Sequence, residues 1–313
     1  MKNVLGIDIG GTTVAIGIVD EKGVCKHNHI FSTNSFESPE NLVNEVYEFL
    51  ESQRLIEWID GIGVGAPNGN YFTGNIEFAP NLNWEGIIPL AELFRKKFNR
   101  PTLLTNDANA AAYGEMYFGN AKDLKDFIII TLGTGLGSGI VVNRNLIYGH
   151  DGFAGELGHV RVVNNGRSCG CGRNGCLETY CSSTGLVRSF HEMNSENKSN
   201  STLNETDSID SKTIVEHALK GDAFAFEIVD FTANILGSAL ADFTCFSSPE
   251  AYILFGGYAQ NGQYLADLVK RHMEANMLRI YRDKIDVKIS ALHKQNAAIL
   301  GAAAILFHDY EKN

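Results

Sequence analysis

One pattern occurs twice in this chain, and it limits the fold more than any other feature. Val4–Ile9 reads as a strand, Gly10-Gly11-Thr12-Thr13 as a tight turn, and Val14–Val19 as a second strand. The turn Asp20-Glu21-Lys22-Gly23 and a third strand, Val24–Ile30, follow. The same rhythm returns at Phe127. Phe127–Thr131 is an apolar strand, the run from Gly133 to Gly139 is the turn, and Ile140–Asn143 is the next strand. Asn143-Arg144-Asn145 turns the chain into Leu146–Tyr148.

Helix and strand signals follow each copy. Ser38-Pro39-Glu40 has the form of an N-cap with proline at the first helical position, and Leu42, Val43, Val46, Phe49 and Leu50 then recur at helical spacing. Strands are expected at Gly61–Gly65 and Thr102–Thr105. In the second half, a helix over about Asp222–Cys245 precedes strands at Tyr252–Phe255 and Ile285–Ser290 and an alanine-rich helix at Asn296–Phe307. A duplicated β-β-β-α-β-α-β-α unit gives an α/β protein of two domains flanking a cleft. The expected division is a smaller domain of residues 1–112 plus 296–313 and a larger one of 113–295. Ser195–Lys212 is polar and aperiodic and reads as a mobile surface loop; its sequons at Asn197, Asn200 and Asn204 are read as composition rather than glycosylation sites.

Composition narrows the class. With 44% hydrophobic and 20% charged residues the chain has ample core material. A net charge of −11 disfavours nucleic acid as a partner. No uninterrupted apolar run is long enough for a bilayer, and Asp8 interrupts what a leader peptide would keep apolar, so a cytoplasmic location is expected.

Both glycine turns suit phosphate. In Asp8-Ile9-Gly10-Gly11-Thr12-Thr13 the glycines allow backbone amides close to an anion, the threonines add hydroxyl donors, and Asp8 can hold Mg²⁺. Gly133-Thr134-Gly135 opens the second turn; it joins two strands, which argues against a dinucleotide fingerprint. Neither is a P-loop. Two such hairpins in equivalent places fit a triphosphate, although each taken alone is also an ordinary β-turn. Asn106-Asp107 sits where a strand gives way to a helix. Asp107 there is either a helix cap or a base that takes a proton from a hydroxyl, with Asn106 beside it. Gly256-Gly257 follows a strand and allows a flat base to approach, or simply makes a strand-to-helix turn.

The most specific local signal is His159 followed by Cys169, Cys171 and Cys176. One histidine and three cysteines supply a tetrahedral zinc set that uses all four protein ligands, hence a structural site, on a loop spanning 159–176. Cys181 is a substitute candidate. Glu156 and Glu178 flank this loop.

Together these residues resemble the ROK family of sugar kinases and repressors, most of all Glu156-x-Gly-His159 with Cys169-x-Cys171-x₄-Cys176-x-Glu178. Ala79-Pro80-Asn81-Leu82-Asn83-Trp84 is similar to a segment of the family's glucokinases. The resemblance implies an actin-like, ribonuclease H-like ATPase fold. It implies an ATP:hexose 6-phosphotransferase, a glycolytic enzyme of carbohydrate metabolism, with Asp107 as base toward the sugar's 6-hydroxyl. It assigns Gly65, Ala66, Asn81, Asn106, Glu156, His159 and Glu178 to the sugar. Asp8, Gly10, Gly11, Thr12, Thr13, Gly133, Thr134 and Gly135 would face ATP and Mg²⁺, and Gly256 and Gly257 the nucleoside. It implies a homodimer. Glucose is the expected sugar; fructose, N-acetylglucosamine and N-acetylmannosamine are alternatives, polyphosphate is an alternative donor, and a non-catalytic sugar sensor is the alternative of another class. Where the family often has Ala-Pro-Gly, this chain reads Ala66-Pro67-Asn68-Gly69, a turn that Asn68 can keep in a left-handed conformation. Family repressors carry an N-terminal DNA-binding module; this sequence opens directly on the first strand, so the repressor reading is not favoured.

Overall fold

The computed structural model describes residues 2–194, 201–206, 208–257, 259, 262–292 and 296–312. The chain forms two compact units, residues 1–123 with 146–154 and 294–313, and residues 124–145 with 155–293.

In the first unit, β1 (Asn3–Ile9), β2 (Thr13–Asp20) and β3 (Cys25–Ser32) form an antiparallel meander. Helix α1 (Pro39–Ser52) follows, with the Ser38 hydroxyl accepting from the Asn41 amide at 3.2 Å as the cap signal predicts. Strand β4 (Gly61–Gly65) pairs parallel to β1. A small ribbon of β5 (Ile76–Glu77) and β6 (Ile87–Ile88) precedes α2 (Leu90–Phe98). Strand β7 (Thr102–Thr105) pairs parallel to β4 and leads into α3 (Asp107–Phe118). The sheet order is β3-β2-β1-β4-β7.

Strand periodicity sorts β1 between two layers. Leu5, Ile7 and Ile9 join the α1–α2 side, with Leu42, Val46, Leu50 and Phe94. Val4 packs with Ile299, Ala303, Leu306 and Phe307 of the C-terminal helix (Ala297–Lys312). Glycine is required on that second face. A β-carbon on Gly6 would run into the backbone oxygen of Ile299, and one on Gly63 into that of Ala302.

The second unit repeats this topology. Its sheet is ordered β10-β9-β8-β11-β12, with β8 (Phe127–Leu132), β9 (Leu136–Val142), β10 (Asn145–Leu146), β11 (Ala251–Phe255) and β12 (Asp286–Ile289). β8 is antiparallel to β9 and parallel to β11, as β1 is to β2 and β4. The helices are α4 (Glu178–Cys181), α5 (Ser183–Asn194), α6 (Ser211–Leu219), α7 (Ala223–Ser247) and α8 (Gln263–Asn276). Helix α7 is long and apolar enough to cross a bilayer, but Phe224, Ile228, Val229, Leu236 and Leu240 bury it in this unit's core.

Four expectations are corrected. The first unit does not stop at residue 112, because α3 continues its backbone hydrogen-bond ladder to Phe118; residues 146–154 also belong to it. There the Asn70 amide donates to the Asp151 carbonyl at 2.8 Å, and the Tyr148 hydroxyl meets that of Tyr113 at 3.1 Å. The second glycine turn is shorter than the glycine run. Gly137 and Gly139 lie within β9, opposite Thr131 and Ile129, so the turn closes at Gly135. The third strand ends at Leu146, since Tyr148 turns away to stack on Tyr71 at 4.2 Å. Finally, part of the polar segment is anchored. Thr202–Glu205 forms a short 3-10 turn, with Leu203 buried and both Ser201 and Thr202 bonded to Asp222. Asp222 also caps α7 through the amides of Phe224 and Ala225, so one carboxylate fixes two segments. Asn204 lies in that turn; residues 195–200 and 207, with Asn197 and Asn200, lie outside the described residues.

Candidate functional site

Strand register assembles the first group of candidate residues. β1 pairs Asp8 with Gly65 of β4, and β4 pairs Gly65 with Thr105 of β7. These are the carboxyl ends of three parallel strands, where α/β sheets place ligands. Gly65 lets α3 approach closely: a β-carbon there would lie 3.1 Å from that of Ala110, and in ordinary contact with the Asp8 carboxylate. The next residues are Asn106 and Asp107. Asn106 is the helix cap, its side-chain oxygen accepting from the Asn109 amide at 2.7 Å. The capping alternative for Asp107 therefore goes to its neighbour, and Asp107 occupies the first helical position, one oxygen accepting from the Ala108 amide at 2.9 Å.

Both carboxylates are shifted upward. Asp8 is pushed up to about 7, first by burial and then by the charge of Asp107. Asp107 is also raised, by desolvation acting against the stabilising amide of Ala108. The residue is open to solvent, which weakens that desolvation. The half-buried carboxylate of Asp8 suits a divalent cation completed by water and phosphate oxygens.

The first hairpin stands beside this row. The Gly10 amide closes it on the Thr13 carbonyl at 2.8 Å, and the Thr33 hydroxyl binds the Gly10 carbonyl at 2.7 Å. Gly11, Thr12 and Thr13 are exposed. Asn81 is brought directly against Gly11, its backbone oxygen 2.8 Å from where a β-carbon would stand. Ala66 is buried, and its amide donates to the Thr105 carbonyl at 3.0 Å. Asn68 adopts φ 50°, the left-handed conformation expected of it. Its side chain also donates to the carbonyls of Glu77 and Phe78 at 3.0 and 3.1 Å, which glycine could not do.

The second group lies in the other unit. One nitrogen of His159 and the sulfurs of Cys169, Cys171 and Cys176 all lie within 4.8 Å of one another. His159 Nδ1 is 3.6 Å from Cys169 Sγ, and the sulfurs of Cys171 and Cys176 are also 3.6 Å apart. Zinc–sulfur bonds of about 2.3 Å at tetrahedral angles place sulfurs roughly 3.8 Å apart, so the set fits zinc. Burial works against ionisation of Cys171, but the Arg173 amide and hydrogen bonds from Cys169, Arg173 and Cys176 bring it down to about 6. The other histidine nitrogen, Nε2, faces Glu156 at 4.0 Å. The imidazole thus points one nitrogen at the thiols and one away from them. Cys181 stands apart: it is fully buried, with its sulfur on the Thr232 carbonyl at 3.6 Å.

Sequence reasoning missed the residue that holds this loop. Arg167 is buried, and all five of its side-chain N–H groups are used. They reach the Glu192 carboxylate twice, the carbonyls of Thr179 and Gly185, and the Ser189 hydroxyl. Its guanidinium lies 4.3 Å from the Tyr180 ring centroid. Its partners are twelve or more positions away in sequence, so no local motif reveals it.

The second hairpin is tied to α4 and α5. Its Gly133 carbonyl accepts from the Ser183 amide at 2.9 Å, and its Thr134 carbonyl from the Thr184 hydroxyl at 2.8 Å. Glu178 accepts from the Leu136 amide at 3.1 Å, and a β-carbon on Gly135 would strike that same carboxylate. Gly256 has φ 105° and sits against the Leu132 carbonyl, 2.7 Å from where a β-carbon would be. Its glycine is explained by that turn; Gly257 is exposed and open.

Comparison with known proteins gives the family and the fold. The model of the ROK family matches residues 4–309. A glucokinase of Streptomyces coelicolor is 35% identical over 307 residues, covering 96% of this chain and 96% of that protein. The solved structure of a ROK family glucokinase from Streptomyces griseus, in complex with glucose and AMPPNP, matches with a TM-score of 0.81 at 33% identity, over 97% of this chain and 98% of that one. A xylose repressor of Bacillus spizizenii is 27% identical over 98% of this chain and 77% of its own length. The likeness of fold, with the repeated sheet order, gives the two-domain actin-like ATPase architecture. The chain belongs to the ROK family.

Proposed function

We propose that this protein is a sugar kinase that transfers the γ-phosphoryl group of ATP to the 6-hydroxyl of glucose. The observation that carries this reading is the row Asp8, Gly65, Thr105 at three strand ends, with Asp107 two residues beyond Thr105 and an open glycine hairpin beside it. Phosphoryl transfer asks a protein mainly for positioning and charge neutralisation, plus an acceptor for the hydroxyl proton. Asp107 is that acceptor, and its raised pKa makes it a stronger base than an ordinary aspartate. Mg²⁺ held through Asp8 would neutralise phosphate charge. Gly10–Thr13 and Gly133–Gly135 are each assigned to phosphate through their amides and hydroxyls, and Gly256-Gly257 is assigned to the nucleoside. Asn81, Asn106, Glu156, His159, Glu178 and the Gly65-Ala66 backbone are assigned to the sugar. His159, Cys169, Cys171 and Cys176 would hold zinc as a brace with no open coordination position. The likeness to glucokinases at up to 35% identity supports glucose over other hexoses.

The test is Asp107→Asn. Turnover should fall by about 10²–10⁴-fold while glucose binding survives. Near-normal turnover would remove Asp107 as the base. A coupled assay over glucose, fructose, N-acetylglucosamine and N-acetylmannosamine identifies the sugar.

A second reading is a sugar-sensing regulator, favoured by the likeness to the xylose repressor along 98% of this chain. Sugar binding with no ATP turnover on any sugar of the panel would establish it. The presence of Asp107 and both hairpins supports the kinase.

A further inference from the structure

Glu178 makes two contacts that a residue devoted to the sugar would not need. One carboxylate oxygen accepts from the Leu136 amide at 3.1 Å, at the point where the second hairpin enters β9. The other lies 3.6 Å from the sulfur of Cys169, a member of the His/Cys set. Gly135 makes room for this carboxylate, since any side chain there would collide with it. The same short stretch of chain makes three more ties. Cys176 belongs to the metal set, and Ser183 and Thr184 hold the carbonyls of Gly133 and Thr134. The thiol cluster and the hairpin are therefore fixed by one segment, Cys176–Thr184, with Glu178 spanning from one to the other.

We infer that Glu178 is a positioning residue that couples metal binding at the His/Cys set to nucleotide binding at the second hairpin. The inference rests on the assignment of Gly133–Gly135 to the phosphates. A metal that fixes Cys176 fixes the start of α4 two residues on, and Glu178 passes that restraint to Leu136 and hence to the hairpin; Cys169 gives up its thiol proton when it binds metal, so its contact with Glu178 belongs to the metal-free state. Coupling of two binding equilibria is reciprocal, so nucleotide must tighten metal binding by the factor by which metal tightens nucleotide binding.

The experiment measures the affinity of a non-hydrolysable ATP analogue by calorimetry, with zinc-loaded and chelator-dialysed protein, and the zinc affinity with and without the analogue. Circular dichroism checks that the dialysed protein stays folded. The expected result is a loss of analogue affinity of about fivefold or more on metal removal, with an equal factor in the reciprocal titration. In Glu178→Asp, whose side chain is too short to span both contacts, zinc should still bind at one per chain and the factor should shrink toward one. Equal analogue affinity with and without zinc in the wild-type protein overturns the coupling. An undiminished factor in Glu178→Asp overturns the role of Glu178. Absence of any analogue binding, with or without zinc, overturns instead the kinase reading on which the inference stands.

Discussion

The α-carbon of Gly11 faces the backbone carbonyl of Asn81 so closely that a β-carbon would stand 2.8 Å from that oxygen. The residue assigned to phosphate and the segment assigned to sugar thus share one contact. Gly11→Ala should push the Asn81 segment outward while leaving Asp107 in place. The expected signature is a rise in KM for sugar together with that for ATP, each by roughly tenfold, about 1.4 kcal/mol of lost binding. A rise confined to ATP would show that the contact has no bearing on the sugar.

Asp8 gives the fold a pH dependence of definite sign. Its carboxyl titrates near 7 in the folded protein against 3.8 for an ordinary aspartate, so the folded state binds the extra proton. The stabilisation is complete below about 3.8 and is lost as pH rises through about 7. Without divalent cations, denaturant unfolding should show greater stability at pH 5 than at pH 8 from this source. Asp8→Asn should flatten the difference, and an unchanged slope in that variant would assign it elsewhere.

Arg167 should behave as a structural keystone of the second unit. Removing it leaves the Thr179 and Gly185 carbonyls and the Ser189 hydroxyl without their guanidinium donor in a buried place. Arg167→Ala should cost about 1–3 kcal/mol in unfolding free energy for a buried acceptor left unsatisfied. Arg167→Lys should recover only part, because an ammonium cannot reproduce the planar five-donor fork. Metal content of the variants should fall in parallel, because the arginine ties the cysteine loop to α4 and α5.

Metal analysis of protein washed with a weak chelator should find about one zinc per chain, bound as a closed four-ligand site. Cys171→Ser or Cys176→Ser should abolish it, whereas Cys181→Ser should not, since Cys181 faces Thr232 and stands apart from the cluster. Folded, active protein with no zinc would disprove the assignment.

What could be read in advance follows physical range. The His/Cys set was legible because its members lie in one short stretch and three sulfurs so close together have few other uses. β4 and β7 matched their expected limits, being apolar runs bounded by turn residues. The start of β9 was not legible: Gly137 and Gly139 look like turn residues, and only their pairing opposite β8 makes them strand. The contact of Gly11 with Asn81 joins positions seventy apart, and the guanidinium of Arg167 reaches as far as Glu192. Such contacts are decided by packing, on which spacing in the sequence is silent. Asp107 was ambiguous for a different reason. Capping and catalysis favour the same residue type at the same place, and only the geometry of Asn106 separates them.

The helix that lies over Gly6 and Gly63 is built from residues 297–312. Every residue of the second unit precedes it in the chain. During synthesis the second unit can therefore reach its complete set of contacts first, although its sequence starts later. The first unit must wait, with one face of its sheet uncovered, until residues 297–312 have left the ribosome. A stop codon just before residue 297 would leave the second unit whole and the first one open.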